Sequence, residues 1–422
     1  MHKLKSLLPQ QLKNAYHLLK AIFANVRFGF PARKLKVIGI TGTNGKTTTT
    51  QMVTKILEEA GKKVAMASTI NFRINGQEEI NRTKFTTLSA YSVQKFIKRA
   101  TEAGSEYLVL ETSSHALDQY RVWGIKYACA VITNVTREHL DYHKTMENYR
   151  EAKKRIFADV GTAIVNLDME NPDQYLNETA TRKIGYTLKA TENPKVNELV
   201  VAKNLELGIE ESKFEVNGQN YSLKLIGDFN VENALAAIAV GVNEGISGEV
   251  ISRALLKIEG VPGRLEKIPN DRNLNIIVDF ALTPDALERL YQLIQKVNIA
   301  KGNVIAVFGS CGERDRGKRP IMGEIVSDYA DYIILTNDEP YHENPQQIIE
   351  EIAAGIKNQE EGINYWKIED RRQAIRKALE ISKPNDIVLV TGMGAEDTMA
   401  IGDERIPWND RQVILEELEK LN

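Results

Sequence analysis

Nine residues constrain this chain more than any others. TGTNGKTTT (Thr41–Thr49) follows the apolar run LKVIGI (Leu35–Ile40) and leads into helical periodicity from about Thr47 to Ala60. A buried strand, a glycine turn and a helix, in that order, form a cradle for phosphate. Gly42 and Gly45 let backbone N–H groups approach an anion. Lys46 supplies a cation, and the Thr47 hydroxyl suits a place beside Mg²⁺ at the positive end of a helix. The longer G-x-x-x-x-G-K-[ST] pattern would begin at residue 40, where this chain has Ile40, so the match is to the G-K-T core and its setting. Thr43, Asn44 and Thr48 complete the expected nucleotide loop.

Beyond this loop, strands and helices alternate. VAMAST, YLVLET (Tyr107–Thr112), ACAVITNV (Ala128–Val135) and TAIVNLD (Thr162–Asp168) read as strands, and Ser89–Ala103 reads as a helix. The pattern predicts a mainly parallel sheet covered on both faces. Residues 183–226 read as a small antiparallel appendage with a turn at Asn217-Gly218, followed by a helix over Val231–Val242. GVPGR (Gly260–Arg264) marks a break. After it, NIIVDF, NVIAVFG, YIILTN and DIVLVTG alternate with helices, which predicts a doubly wound Rossmann-like domain. The expected organisation is an N-terminal segment 1–34, a P-loop domain 35–260 and a C-terminal domain 261–422.

Composition sharpens this α/β reading. At 422 residues, with 42% hydrophobic and 27% charged, the chain suits two or three globular domains rather than disorder. Two cysteines, Cys129 and Cys311, are too few for a disulfide framework and fit a reducing cytoplasm. The formal net charge is only −2, so nucleic acid is not an expected partner. That near-balance hides an asymmetry. Glu58 is the first acidic residue, and before it stand Lys3, Lys5, Lys13, Lys20, Arg27, Arg33, Lys34, Lys36, Lys46 and Lys55. Residues 7–28 have helical periodicity, with Leu12, Ala15, Leu19, Ile22 and Val26 on one stripe and Lys13, Lys20 and Arg27 on another. This basic segment has three readings: peripheral contact of residues 1–33 with an anionic inner membrane face, a lid near an acceptor diphosphate, or a helix packed on the P-loop domain.

Further polar blocks carry candidate chemistry. Glu111 ends a strand where α/β sheets bind ligands, and a carboxylate there can hold Mg²⁺. His139 and His143 lie four residues apart, a spacing that can put two ligands on one helical face, though no H-E-x-x-H pattern or cysteine partner supports zinc. GSCGERDRGKRP (Gly309–Pro320) is dense in Gly and Arg and suits an anionic ligand.

Taken together, TGTNGKTTT, ETSSHALDQYRV, TNVTREHLDYH, YREAK, GDFNVENALAA, VPGRLE, DFALTPDAL, FGSCGERDRGKRPIMGEI and TGMGAED resemble the Mur ligase family. These are ATP-dependent amide ligases of peptidoglycan precursor synthesis. The resemblance runs from about Leu35 to the C-terminus and is nearest to the type that adds the third amino acid to UDP-N-acetylmuramoyl-dipeptide. It implies that a substrate carboxylate attacks the ATP γ-phosphate and that an amine then attacks the acyl phosphate. Lys46 would contact the β/γ-phosphates, Thr47 and Glu111 one Mg²⁺, and His139 a second. Lys153 matches the family's carbamylated lysine. Asn233 matches an adenine contact, and Arg264 and Asp279 match ATP contacts. Thr86, Thr87, Ser113, Gln119 and Arg121 match the muramoyl-peptide site; Arg314, Asp338, Gly392 and Glu396 match the pocket of the free amino acid. The resemblance implies a cytoplasmic enzyme, expected to be a monomer.

Departures from the family pattern are informative. DFALTPD has Phe280 and Leu282 where the family often has Tyr and His, and GMGAE has Met393 and Ala395 in place of G-K-G-H-E. Diaminopimelate enzymes carry D-N-P-R; here DEPY puts Tyr341 at the Arg position, which leans towards L-lysine or another diamino acid. About 34 residues precede the P-loop domain where the family usually has a uridine-nucleotide domain, so a lipid-linked muramoyl acceptor is an alternative. A folylpolyglutamate-like acceptor is another, and a non-catalytic ATP-binding module is a third.

Overall fold

In this computed structural model the described residues are 10–83, 85–176, 180–189, 193, 195–208, 211–298 and 301–421. Residues 1–9, with Lys3 and Lys5 of the basic segment and the first residues of the expected 7–28 helix, lie outside them. The chain divides into two compact units. One comprises the chain to Thr136 together with His143–Glu259, and the other Arg137–Tyr142 together with Gly260–Asn422.

The first unit is built on nine strands: β1 (Lys36–Thr41), β2 (Val64–Ala67), β3 (Asn71–Ile74), β4 (Gln77–Ile80), β5 (Tyr107–Glu111), β6 (Tyr127–Ile132), β7 (Thr162–Asn166), β8 (Arg182–Thr187) and β9 (Glu198–Val201). Their order is β4-β3-β2-β5-β1-β6-β7-β8-β9. From β2 to β9 the neighbours run parallel, and β3 and β4 add an antiparallel edge. Alternate residues of β1 enter opposite cores. Ile38 and Ile40 meet Met52, Val53 and Ile56 of the Lys46–Glu59 helix, while Val37 lies with Val93, Phe96 and Ile97 of the Ala90–Glu102 helix. Burial on both faces explains why LKVIGI reads as a continuous apolar run rather than an alternating one. Each such side chain, fully buried, contributes roughly 1.5–3 kcal/mol.

Two stretches differ from the sequence expectation. The antiparallel appendage is narrower than 183–226: β8 and β9 join the main sheet in parallel register. Only β10 (Lys203–Leu207), β11 (Ser212–Val216) and β12 (Gln219–Leu223) form the separate antiparallel sheet. The interior positions of β8, Ile184 and Tyr186, are buried against β7, and this tertiary burial decides the pairing. The β3–β4 hairpin was not anticipated, although its turn, Asn75-Gly76 with both φ positive, is a strong hairpin signal.

The second unit has a six-stranded sheet of β13 (Glu266–Ile268), β14 (Asn275–Asp279), β15 (Val304–Phe308), β16 (Tyr332–Leu335), β17 (Tyr365–Lys367) and β18 (Ile387–Thr391). The order is β13-β14-β18-β15-β16-β17, parallel except for β13 at the edge. β19 (Thr398–Ile401) and β20 (Glu404–Pro407) form a hairpin. Val278, Val307, Ile334 and Val390 pack with Ala374, Ile375, Val413 and Ile414 of the flanking helices. This is the doubly wound arrangement expected from the four apolar runs.

Candidate active site

In the first unit the polar candidates collect at the C-terminal ends of the parallel strands, where this architecture leaves a crevice. β1 runs into Gly42–Gly45, and the helix begins at Lys46. The turn tolerates only glycine at two points. Gly45 has φ 81°, and a Cβ there would overlap Asn233 Oδ1; a Cβ on Gly42 would overlap the Thr133 hydroxyl. Asn134 and Thr133 tie the loop down: Asn134 Oδ1 accepts from Asn44 N (2.8 Å), and Thr133 Oγ1 donates to Asn44 O (2.6 Å). Lys46 Nζ donates to Thr43 O at 2.7 Å, so the cation lies back along the loop. Thr48 is buried in the first helical turn.

Glu111, 1% exposed, is held at the end of β5 by Thr47 Oγ1 (3.1 Å to Oε1) and by Thr69. Thr69 donates through its backbone N to Oε2 (2.8 Å) and through Oγ1 to Oε1 (2.9 Å). The expected metal pair, Thr47 and Glu111, is therefore in contact, and a hydroxyl with a carboxylate is an oxygen donor set that fits Mg²⁺. Lys153, also 1% exposed, donates to Gly42 O at 2.7 Å and lies 4.6 Å from the Tyr149 ring centroid. Tyr149 Oη in turn meets Thr43 Oγ1 at 3.0 Å. Asn233 lies beside the loop, bonded to Thr49 Oγ1 (3.3 Å) and Asn230 Oδ1 (3.2 Å).

The expected acceptor residues form one cluster adjoining Glu111. Thr87 Oγ1 donates to Glu111 O (3.0 Å) and accepts from Ser113 N (2.9 Å). Arg121 donates to Thr87 O (2.9 Å) and forks onto Gln119 Oε1 at 2.9 and 2.6 Å. Thr86, partly buried, precedes Thr87 on the same segment. Three neighbours escaped the sequence reading: Thr69 on Glu111, Asn134 on the loop, and Tyr149 on Thr43. Only Asn134 and Tyr149 stood inside recognised blocks.

The second unit repeats the placement at its own sheet. Asp279 ends β14, and the loops carrying Arg314, Asp338 and Gly392 follow β15, β16 and β18. Asp279 accepts from Leu265 N (2.8 Å), and the Arg264 guanidinium lies 4.4 Å from the Phe280 ring centroid. Desolvation raises the Asp279 carboxyl above its usual range, opposed by the Arg264 charge. Gly392 N donates to Asp279 O (3.1 Å), and the same glycine abuts Asp338. Asp338 is buried, and its carboxyl is pushed up to about 7 by desolvation, against the nearby Arg371 charge. Arg371 is itself locked in a buried two-pronged pair with Asp410, at 2.8 and 2.6 Å. Tyr341 donates to Glu339 Oε2 (3.3 Å), and desolvation lifts its phenol to about 12. Arg314 is exposed, and Glu396 N donates to Met393 O (3.0 Å).

The two histidines do not share a helical face. His139 has φ 57° and precedes the short Leu140–His143 helix, with Nε2 3.7 Å from Glu138 Oε2. His143 is buried, its Nε2 3.0 Å from Ser114 Oγ. Of the expected metal ligands, the first unit holds Thr47, Glu111 and Lys153, and His139 belongs to the second.

Fold and site together define a P-loop nucleotide-binding α/β unit followed by a Rossmann-like unit. Residues 40–241 match the Mur ligase middle domain, and residues 263–394 match the Mur ligase glutamate ligase domain. UDP-N-acetylmuramoyl-L-alanyl-D-glutamate--2,6-diaminopimelate ligase of Clostridium tetani is 39% identical over 417 residues, covering 97% of this chain and 83% of that protein. A solved structure of a ligase of that name superposes with a TM-score of 0.62 at 32% identity, covering 92% of this chain and 79% of the other. The folylpolyglutamate synthase of Mycobacterium tuberculosis, solved with ADP and AMPPCP, shares the fold at a TM-score of 0.70 and 16% identity, over 89% of this chain and 92% of the other. The chain belongs to the Mur ligase family.

Proposed function

We propose that this protein is an ATP-dependent amide ligase that adds a diamino acid to the terminal carboxylate of a UDP-N-acetylmuramoyl-dipeptide. The observation that carries the reading is the Thr87 bridge. One hydroxyl joins the acceptor cluster (Ser113, and Arg121 through the Thr87 carbonyl) to the backbone of Glu111, whose carboxylate meets the Thr47 hydroxyl. An acceptor held by Arg121 and Ser113 would lie beside the phosphate loop.

The chemistry needs that adjacency. A carboxylate oxygen attacks the γ-phosphorus, ADP leaves, the amine attacks the acyl carbon, and phosphate leaves as the amide forms. Two anions meet in the first step, so Lys46 and the loop N–H groups offset their repulsion as charge moves onto ADP. Thr47 and Glu111 would hold a Mg²⁺, which would supply further charge neutralisation. We assign His139 to a second Mg²⁺, and to Lys153 a carbamate that would turn its amine into an oxygen donor; intact-mass measurement of the native protein reads the added carboxyl. Residues 35–260 form the nucleotide and acceptor domain in this reading. Residues 261–422 supply Arg264 and Asp279 to ATP, and Arg314, Asp338, Gly392 and Glu396 to the incoming amino acid. The protein acts in the cytoplasm, as a monomer.

The test offers purified protein, Mg-ATP and UDP-N-acetylmuramoyl-dipeptide a panel of amino acids, scoring phosphate release and product mass. The panel sets diaminopimelate, which gives the relatives their name, against L-lysine, which Tyr341 favours. Product with either supports the reading. Turnover only with a different acceptor refutes it.

A further inference from the structure

The N-terminal helix Gln10–Phe28 is held to the first unit by one face and leaves an unusual one open. Ala21, Ala24 and Asn25 are buried, Asn25 Nδ2 donates to Trp123 O (2.8 Å), and Phe28 meets the Tyr91 ring edge-on at 5.0 Å. The helix packs along the Ala90–Glu102 helix. Four large apolar side chains point the other way. Leu19 is 66% exposed, Val26 64%, Phe23 63% and Tyr16 47%. At three- and four-residue spacing they form a continuous outward stripe, roughly 15 Å long. Leu18, Ile22 and Phe28 are partly buried, so the outward stripe is these four side chains, opposite the buried Ala21, Ala24 and Asn25.

Charge identifies the occupant. Along the edge of the stripe run Lys13, Lys20 and Arg27, one basic residue every seven, and the helix contains no acidic residue. Lys20 Nζ lies 4.4 Å from the Tyr16 ring centroid, a cation–π contact that joins the basic edge to the apolar stripe. No acidic residue occurs anywhere before Glu58. Among the described residues no helix is long and apolar enough to cross a membrane. An apolar stripe with a basic rim, on a helix too polar to span, suits the plane of a lipid surface.

We propose that this helix is a docking surface for an anionic phospholipid membrane. Tyr16, Leu19, Phe23 and Val26 enter the headgroup–acyl boundary, and Lys13, Lys20 and Arg27 lie against lipid phosphates. The mooring through Asn25 and Phe28 fixes the first unit to the surface instead of trailing it on a tether.

The test is co-sedimentation of the full chain with phosphatidylcholine vesicles and with phosphatidylcholine–phosphatidylglycerol vesicles. Three proteins are compared: wild type, Leu19→Ser/Phe23→Ser, and Lys20→Gln/Arg27→Gln. All altered side chains are exposed, and each variant's melting temperature and ATP-dependent phosphate release should match wild type. Wild type should sediment with the anionic vesicles only, and less as salt rises. The charge variant should bind about 25-fold more weakly, roughly fivefold per cation removed, and the serine variant should stay in solution. Equal sedimentation of all three, or none for wild type, overturns the proposal. So does a wild-type dimer in solution that the serine variant abolishes, because the stripe then belongs to a second copy of the chain.

Discussion

The two units place polar residues at the same point of a parallel sheet but hold them by different means. In the first, each key group is satisfied by short hydrogen bonds: Glu111 by Thr47 and Thr69, Thr87 by Ser113, and the loop by Asn134. In the second, Asp279 and Asp410 are also hydrogen-bonded, but burial moves the carboxyls as well: Asp338 is pushed up to about 7, and the Arg371–Asp410 pair sits enclosed beside it. The contrast suits the ligands proposed for each. A phosphate chain keeps its charge, so a site built on backbone N–H groups and Lys46 needs no titration. A pocket for a free amino acid must receive a cationic amine, which a buried carboxylate can match.

The largest effect expected from this contrast is at Lys46. Lys46→Ala should lower phosphate release at least ~100-fold with the fold intact, judged by circular dichroism, because a preorganised cation is removed from the transferring phosphate. Retained turnover would break the claim that the first unit works by fixed charge.

Next is the buried pair of the second unit. Asp410→Ala strands Arg371 in the interior and should cost about 3–5 kcal/mol by denaturant unfolding. A loss under about 1 kcal/mol would mean the pair is not enclosed.

Asp338 distinguishes the units by pH. Its folded carboxyl, near 7, lies above the unfolded value near 3.9, so the folded state binds more protons between those limits. Stability from this group is therefore full below the unfolded value and falls as pH rises through about 7, by up to about 4 kcal/mol. Asp338→Asn should flatten that part of the stability–pH curve while raising KM for the amino acid. An unchanged slope would contradict the assignment of burial as the dominant cause.

The smallest effect is at Thr69. Thr69→Val removes one of the two bonds that Thr69 gives Glu111 and should shift the Mg²⁺ requirement for turnover upward by about tenfold, in line with a hydrogen bond to a charged group. The amino acid KM should stay unchanged.

Sequence reading recovered what local chemistry dictates. The Lys46–Glu59 helix and β1 follow from an apolar run meeting Gly-Lys-Thr, and Ser89 was legible as the start of the next helix, where it caps Ser92 N. It missed what distant segments decide together. Thr69 reaches Glu111 across 42 residues of chain, and nothing local marks it. β8 and β9 look like hairpin strands until burial of Ile184 and Tyr186 against the main sheet sets them parallel. The N-terminal helix was legible as a helix; which face the protein would cover was not, because Ala21 and Ala24 carry little apolar surface of their own.

The central claim is that a carboxylate bound beside the Thr47–Glu111 pair is phosphorylated before the amide forms. Heavy-oxygen label in the terminal carboxylate of UDP-N-acetylmuramoyl-dipeptide tests it directly. The account predicts that one labelled oxygen per turnover appears in the released inorganic phosphate, and that Lys46→Ala abolishes the transfer. Amide product accompanied by unlabelled phosphate would contradict it.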